Sequence, residues 1–145
     1  MTRKDQFETY QLIYVSGAAN PLSRRDVRSL ARAAAKRNER LGITGLLLYK
    51  DQRFMQILEG DVAAVGGLFE GIRNDSRHHG VFVLSRRFIM FRQFPDWSMR
   101  LAEPEEIVHD ESEIHDRLFS GSDASHSARN FATETWTFLN AFHFS

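Results

Sequence analysis

Two side chains in the first half of the chain have polar ends on faces that alternation makes apolar. Gln56 lies between Phe54 and Leu58 in the run FMQIL, and Tyr14 lies between Leu12 and Ser16 in YQLIYVS. A buried amide has two donors and an acceptor to satisfy, and each one left unpaired costs about 1–3 kcal/mol. A buried phenol likewise needs a partner. If both are inside, a glutamine on a strand beside Tyr14 could accept from the phenol and still have its own N–H groups for a ligand. If the strand carrying Gln56 is an edge, the amide simply faces water and Tyr14 is an ordinary core tyrosine.

Other polar residues fall near element ends. Asn38 closes a helical stretch, where it can act as a cap or aim an amide at a polar heterocycle. Asp75, Arg77 and His78 cluster in NDSRHHG, which taken alone is a solvated loop. Trp97 and Met99, two apart, are core residues or a movable pair beside a ligand. The histidines lack ligand spacing: His78 and His79 are adjacent, and His109 and His115 are six apart, off one helical face. With no cysteine as well, no metal site is expected. No dinucleotide fingerprint, phosphate loop or nucleophile-elbow motif is present.

The elements that must position these residues follow from pattern. Tyr10 to Ser16 reads as a strand, apolar on both faces and therefore central. Ser23 and Asp26 form a possible capping box. Val27, Leu30, Ala31, Ala34 and Ala35 then follow a helix face opposite Arg25, Arg28, Arg32 and Lys36, ending near Gly42. Ile43–Tyr49 and Phe54–Leu58 read as a β-hairpin. Asp61 can cap a second helix with Val62, Val65, Phe69 and Ile72 on its apolar face. Gly66 and Gly67 inside that helix each cost about 1 kcal/mol relative to alanine, so packing supports it or something approaches closely there. Val81–Leu84 continues towards Ile89 as a strand. Phe94–Met99 is a turn with a short edge strand, because Pro95 cannot sit in a central one.

The order is β-α-β-β-α-β plus a fifth short strand, an α+β, ferredoxin-like arrangement. Such a sheet has helices on one face, so the C-terminal segments are expected to cover the other. These are a short acidic helix over Glu103–Ser120, a linker over Gly121–Arg129, and a stripe of Phe131, Thr135, Phe138, Leu139 and Phe142.

Composition excludes several classes. The chain has 145 residues, 19 basic and 19 acidic, with no cysteine. That rules out a thiol nucleophile, a cysteinyl flavin adduct and an iron–sulfur cluster. Zero net charge argues against a dedicated nucleic-acid binder. No apolar run approaches the roughly 18–20 residues of a membrane span, and MTRKDQFETY is no apolar leader, so a cytoplasmic location is expected.

Taken in order, L-I-Y-V-S, R-N-x-R-L-G-I-T-G-L-L-L-Y, R-F-x-Q-x-L-E-G, D-x-R-H and R-x-F-P-D-W-S-M resemble the BLUF family of blue-light sensors using flavin. The resemblance covers residues 10–101, implying a BLUF domain over 1–101 and a helical extension, a cap or output element, over 102–145. It implies an oxidised flavin, FAD with FMN or riboflavin as alternatives, held non-covalently between the two sheet-flanking helices. Tyr14 matches the electron donor, and Gln56 the amide between that tyrosine and flavin N5/O4. Asn38 matches the pyrimidine-edge contact, and Arg77 and His78 match residues at the O2 side and over the ring, with Asp75 orienting their loop. Leu30 and Ile72 match the apolar sandwich. Ser16, Trp97 and Met99 match flexible positions near the glutamine. The implied photocycle rotates or tautomerises Gln56, strengthens its hydrogen bond to O4 and red-shifts absorption.

Two positions depart from the family pattern. Arg37 stands where Asn or His is common and can reach the ribityl phosphate. Gln52 replaces a frequent turn glycine. No effector domain is recognisable, so the resemblance implies a non-enzymatic sensor. Its expected partners are flavin, a downstream signalling protein and further copies of the chain, with neither nucleic acid nor membrane. A flavin enzyme and a cofactor-free ferredoxin-like interaction module are the competing readings.

Overall fold

A computed structural model describes residues 9–108, 112–120 and 126–144. The chain divides into two compact units, Met1–Leu101 and Ala102–Ser145.

The first unit is built on β1 (Thr9–Ala18), α1 (Arg24–Leu41), β2 (Thr44–Lys50), β3 (Arg53–Gly60), α2 (Val62–Arg73), β4 (His78–Ile89) and β5 (Arg100–Leu101). The sheet order is β4-β1-β3-β2-β5, with β5 alone running parallel to its neighbour. This is the α+β, ferredoxin-like arrangement expected from the element order. β1 is central, paired with β3 and β4, which explains why both its faces are apolar.

The helix ends form for local reasons. The Ser23 side chain accepts from the Asp26 backbone N–H at 3.1 Å, and Asp26 accepts in return from the Ser23 N–H at 3.2 Å, so the capping box is complete. Gly42 ends α1 in the left-handed region at φ 67°, which a side chain would resist. Asp61 caps α2 through the backbone N–H groups of Ala63 and Ala64. The β2–β3 turn places both Asp51 and Gln52 at positive φ, 51° and 60°. That is the two-residue turn matching strand twist, here made without glycine. The Ala18 N–H, donating to the Gln52 carbonyl at 2.8 Å, helps hold it.

Register then sets the interior. Tyr14 lies directly opposite Gln56 across β1 and β3, and Leu47 flanks Gln56 from β2. Tyr10, Leu12, Tyr14, Leu58, Val65, Phe69 and Met99 share one core cluster. Ile13, Leu46, Met55 and Ile57, on the opposite face, are fully buried. β4 slips register against β1 between Ile13 and Tyr14 and again between Val15 and Gly17, so two bulges bracket the Tyr14 turn of the strand.

The second unit contains α3 (Pro104–Val108), α4 (Glu113–Ser120) and α5 (His126–Phe144). Two expectations need correction. The acidic segment is two helices rather than one, and residues 126–129, read as linker, already belong to α5; the linker's 121–125 lie outside the described residues. The α5 stripe is Ala132, Thr135, Leu139 and Phe142, buried at helical spacing, with Phe131 and Phe138 partly buried beside it. The neutrality of the whole chain is also a cancellation. Residues 1–101 hold 17 basic and 10 acidic side chains, and residues 102–145 hold 2 and 9, so neither unit is neutral.

Candidate functional site

A cavity of about 780 Å³ opens between α1 and α2, above Tyr14 and Gln56. That is within the roughly 300–1,000 Å³ typical of small-molecule sites. Leu30, Ala33 and Ala34 line it from α1, and Gly67, Leu68, Gly71 and Ile72 from α2. A methyl group added at Gly67 or Gly71 would meet nothing within 4 Å. The two glycines are one turn apart and leave a smooth bay where ordinary side chains would project. Of the two helix-interior glycines singled out in the sequence, Gly67 lines the cavity and Gly66 does not. Gly71 was not recognised there, although its spacing four residues on was the available signal.

At the cavity floor, the Tyr14 hydroxyl donates to Gln56 Oε1, and Gln56 Nε2 donates to Met99 Sδ at 3.4 Å. Both Tyr14 and Gln56 are buried. The phenol and amide therefore meet, as their facing register requires. Burial pushes the Tyr14 hydroxyl well above its ordinary range, and the Arg37 charge only partly offsets this. Tyr14 is a neutral donor at physiological pH.

Arg77, His78 and Asp75 stand together at the mouth. Arg77 is paired with Asp75 at 2.6 Å, and this guanidinium holds the Asp75 carboxyl down at about 2. Ser16 Oγ lies 2.9 Å from His78 Nδ1, so Ser16 braces the histidine rather than reaching Gln56. Desolvation pushes the His78 ring below 6.5, against the pull of Asp75. In that case the unfolded chain takes up the proton first as pH falls, so the folded state loses stability from about 6.5 downwards. The thermal midpoint is expected to drop between pH 7.5 and 5.5, and His78→Gln should flatten that slope. An unchanged slope in the variant would contradict this.

Asn38 lies behind the cavity wall rather than in its lining. It is fully buried, its Nδ2 donates to the Ser98 carbonyl at 2.9 Å, and its Oδ1 accepts from Arg37 Nε at 3.3 Å. Arg37 rather than Asn38 forms the cavity wall at that end. Partial burial lowers the Arg37 pKa, with Tyr14 and Asp75 opposing that shift. Asn20, Asp26 and Ser29 add polar groups to the lining that sequence reading missed, because each has an ordinary turn or helix role.

Trp97 and Met99 do not share a strand face, since β5 begins only at Arg100. Met99 is buried against Gln56. Trp97 stacks on Phe94, ring centres 5.8 Å apart, with the Arg100 guanidinium 4.4 Å over it. Backbone bonds explain the divergence: the Gly45 N–H donates to the Trp97 carbonyl at 2.8 Å, and Asn38 holds the next carbonyl. Among the described residues no group of three or more His, Asp or Glu is placed to hold a metal ion, and no helix is long and apolar enough to cross a membrane.

The family model for BLUF, described as sensors of blue light using FAD, matches residues 9–100. The chain belongs to the BLUF family. Its BLUF region is 40% identical over 98 residues to the photoactivated adenylate cyclase subunit beta of Euglena longa, and 50% identical over 70 residues to subunit alpha of Euglena gracilis. Those alignments take in 67% and 48% of this chain but only 11% and 7% of the cyclases. Among solved structures, the BLUF protein BlrB in its dark state superposes with a TM-score of 0.64 at 32% identity, covering 89% of this chain and 98% of BlrB. Klebsiella pneumoniae BlrP1, described as a calcium and cyclic-diGMP complex, reaches a TM-score of 0.75 at 30% identity, over 94% of this chain and 34% of that one.

Proposed function

We propose that this chain is a blue-light photoreceptor that holds oxidised FAD non-covalently in the α1–α2 cavity and signals through protein–protein contacts rather than by catalysis. The observation that carries the reading is the continuous path Tyr14–Gln56–Met99 at the floor of a bay walled on the α2 side by Gly67 and Gly71. Leu30 and Ile72 would sandwich the ring, the Gly67–Gly71 bay would admit it, and Asp75, Arg77, His78 and Arg37 would meet its polar edges.

Bound flavin supplies the blue absorption and, once excited, a strong one-electron oxidant. The rest is done by the chain's own groups. Tyr14, held neutral by burial, gives up an electron, and its hydroxyl proton then passes to Gln56 Oε1 along the existing hydrogen bond. An amide can take that proton because it has an acceptor at one end and donors at the other. When both the electron and the proton have returned to Tyr14, Gln56 is left rotated or tautomerised, and the group facing Met99 Sδ has changed. The segment carrying Met99 then has two states of different free energy, which is what a signal requires. The absence of cysteine fits a cycle in which no bond to protein forms.

The purified chain is expected to be yellow and to show a reversible red shift under blue light in a light-minus-dark spectrum. A colourless protein that flavin cannot reconstitute would overturn the reading.

A further inference from the structure

Glu59 is a buried carboxyl that the proposed photocycle does not use. It lies three residues beyond Gln56 on β3, so alternation turns it to the opposite face of the sheet. It is completely buried. Its Oε1 accepts from the Phe94 backbone N–H at 2.8 Å. Its Oε2 accepts from the Gln93 N–H at 3.1 Å and from Gln11 Nε2 at 2.8 Å. Gln11 Nε2 also donates to Gln93 Oε1 at 2.7 Å, and Gln11 Oε1 accepts from Arg87 at 2.8 Å. Burial drives the Glu59 pKa up, and these donors pull it back.

Filling this position for packing alone would favour an apolar side chain, because a buried carboxyl is costly to desolvate. What the carboxyl adds is direction. Two consecutive backbone N–H groups are forked onto its two oxygens, which fixes the orientation as well as the position of residues 93–94. From there the chain reaches Trp97, Ser98 and Met99, the last of which touches Gln56. The ties at 97–99 come from Gly45, Asn38 and Gln56. The tie at 93–94 lies on the other face, away from the rearranging amide.

We propose that Glu59 is a positioning residue of the light switch: its carboxylate anchors Gln93 and Phe94 to β3, so that the Trp97–Met99 segment leaves and returns to Gln56 in one register. This rests on the photoreceptor reading above. A glutamine in its place keeps the shape, yet in either amide orientation an N–H faces an N–H, because both oxygens are acceptors.

The test uses E59Q in the full chain loaded with FAD and carrying Trp136→Phe, so that Trp97 is the remaining tryptophan. Flavin binding and the red shift are expected to persist. The light-minus-dark change in Trp97 fluorescence should fall at least about twofold, and dark recovery should change roughly tenfold, as loss of a charged acceptor implies. Wild-type values for both would overturn the assignment. Should E59Q not fold, amide exchange in the wild-type chain decides. Gln93 and Phe94 should stay protected in light while Ser98 and Met99 lose protection, and equal loss at all four would overturn the anchor. A parent protein lacking any red shift overturns the photoreceptor reading itself, whereas a normal parent with an unaltered E59Q response overturns the Glu59 role alone.

Discussion

Tyr14→Phe should give a protein that binds flavin, stays yellow and no longer shifts its absorption under blue light. The substitution removes one oxygen and keeps the ring, which packs against Phe69 at 5.3 Å, so the cavity floor survives. It deletes the phenol proposed as electron donor and, with it, the hydrogen bond to Gln56 Oε1. Gln56→Leu should give the same silent, yellow protein by the opposite route, since the phenol then has no acceptor on β3. Each change leaves one buried polar group without its present partner, so each apo variant should lose about 1–3 kcal/mol of stability. Light-minus-dark spectroscopy with parallel chemical denaturation separates the two effects. A full red shift in either variant would exclude the Tyr14–Gln56 pair as the photochemical relay.

The second large effect should come from the glycine bay. Gly67→Leu or Gly71→Leu is expected to block flavin while strengthening the empty protein. A Cβ at either position meets nothing within 4 Å, and both positions face the empty cavity, where the rest of the side chain can extend. Leucine is also the better helix former, by roughly 0.5–1 kcal/mol. The ligand, however, must share the bay with a new side chain, and overpacking of about 1–3 kcal/mol corresponds to roughly five- to 150-fold weaker binding. Opposite signs in apo stability and flavin affinity are the signature, read by thermal unfolding and flavin titration. Equal affinity in the variants would place the cofactor elsewhere.

What could be read from residues alone divides along physical lines. α1 was legible because its start and stop are local: a capping box three residues wide, a 3.6-residue apolar stripe and a terminal glycine. The hairpin was legible from two apolar runs, and with it the meeting of Tyr14 and Gln56, since period-2 alternation fixes faces once strands pair. The BLUF motifs supplied the rest of that assignment. Glu59 was not legible. A glutamate between Leu58 and Gly60 looks like a strand end, and its partners lie 34, 35 and 48 residues away. The opposed directions of Trp97 and Met99 were hidden for the same reason, because Gly45 and Asn38 set them from distant elements. The break between α3 and α4 carries no strong stop signal such as glycine or proline.

The contact between Gln56 and Met99 has a consequence that runs backwards along the relay. Coupling free energies are reciprocal. A molecule that grips the 97–99 segment more tightly in one amide orientation must favour that orientation by the same factor, in darkness as well as in light. The spectrum of the cofactor would therefore report on the occupancy of the 97–99 segment, and a bound partner would shift the balance between the two amide orientations.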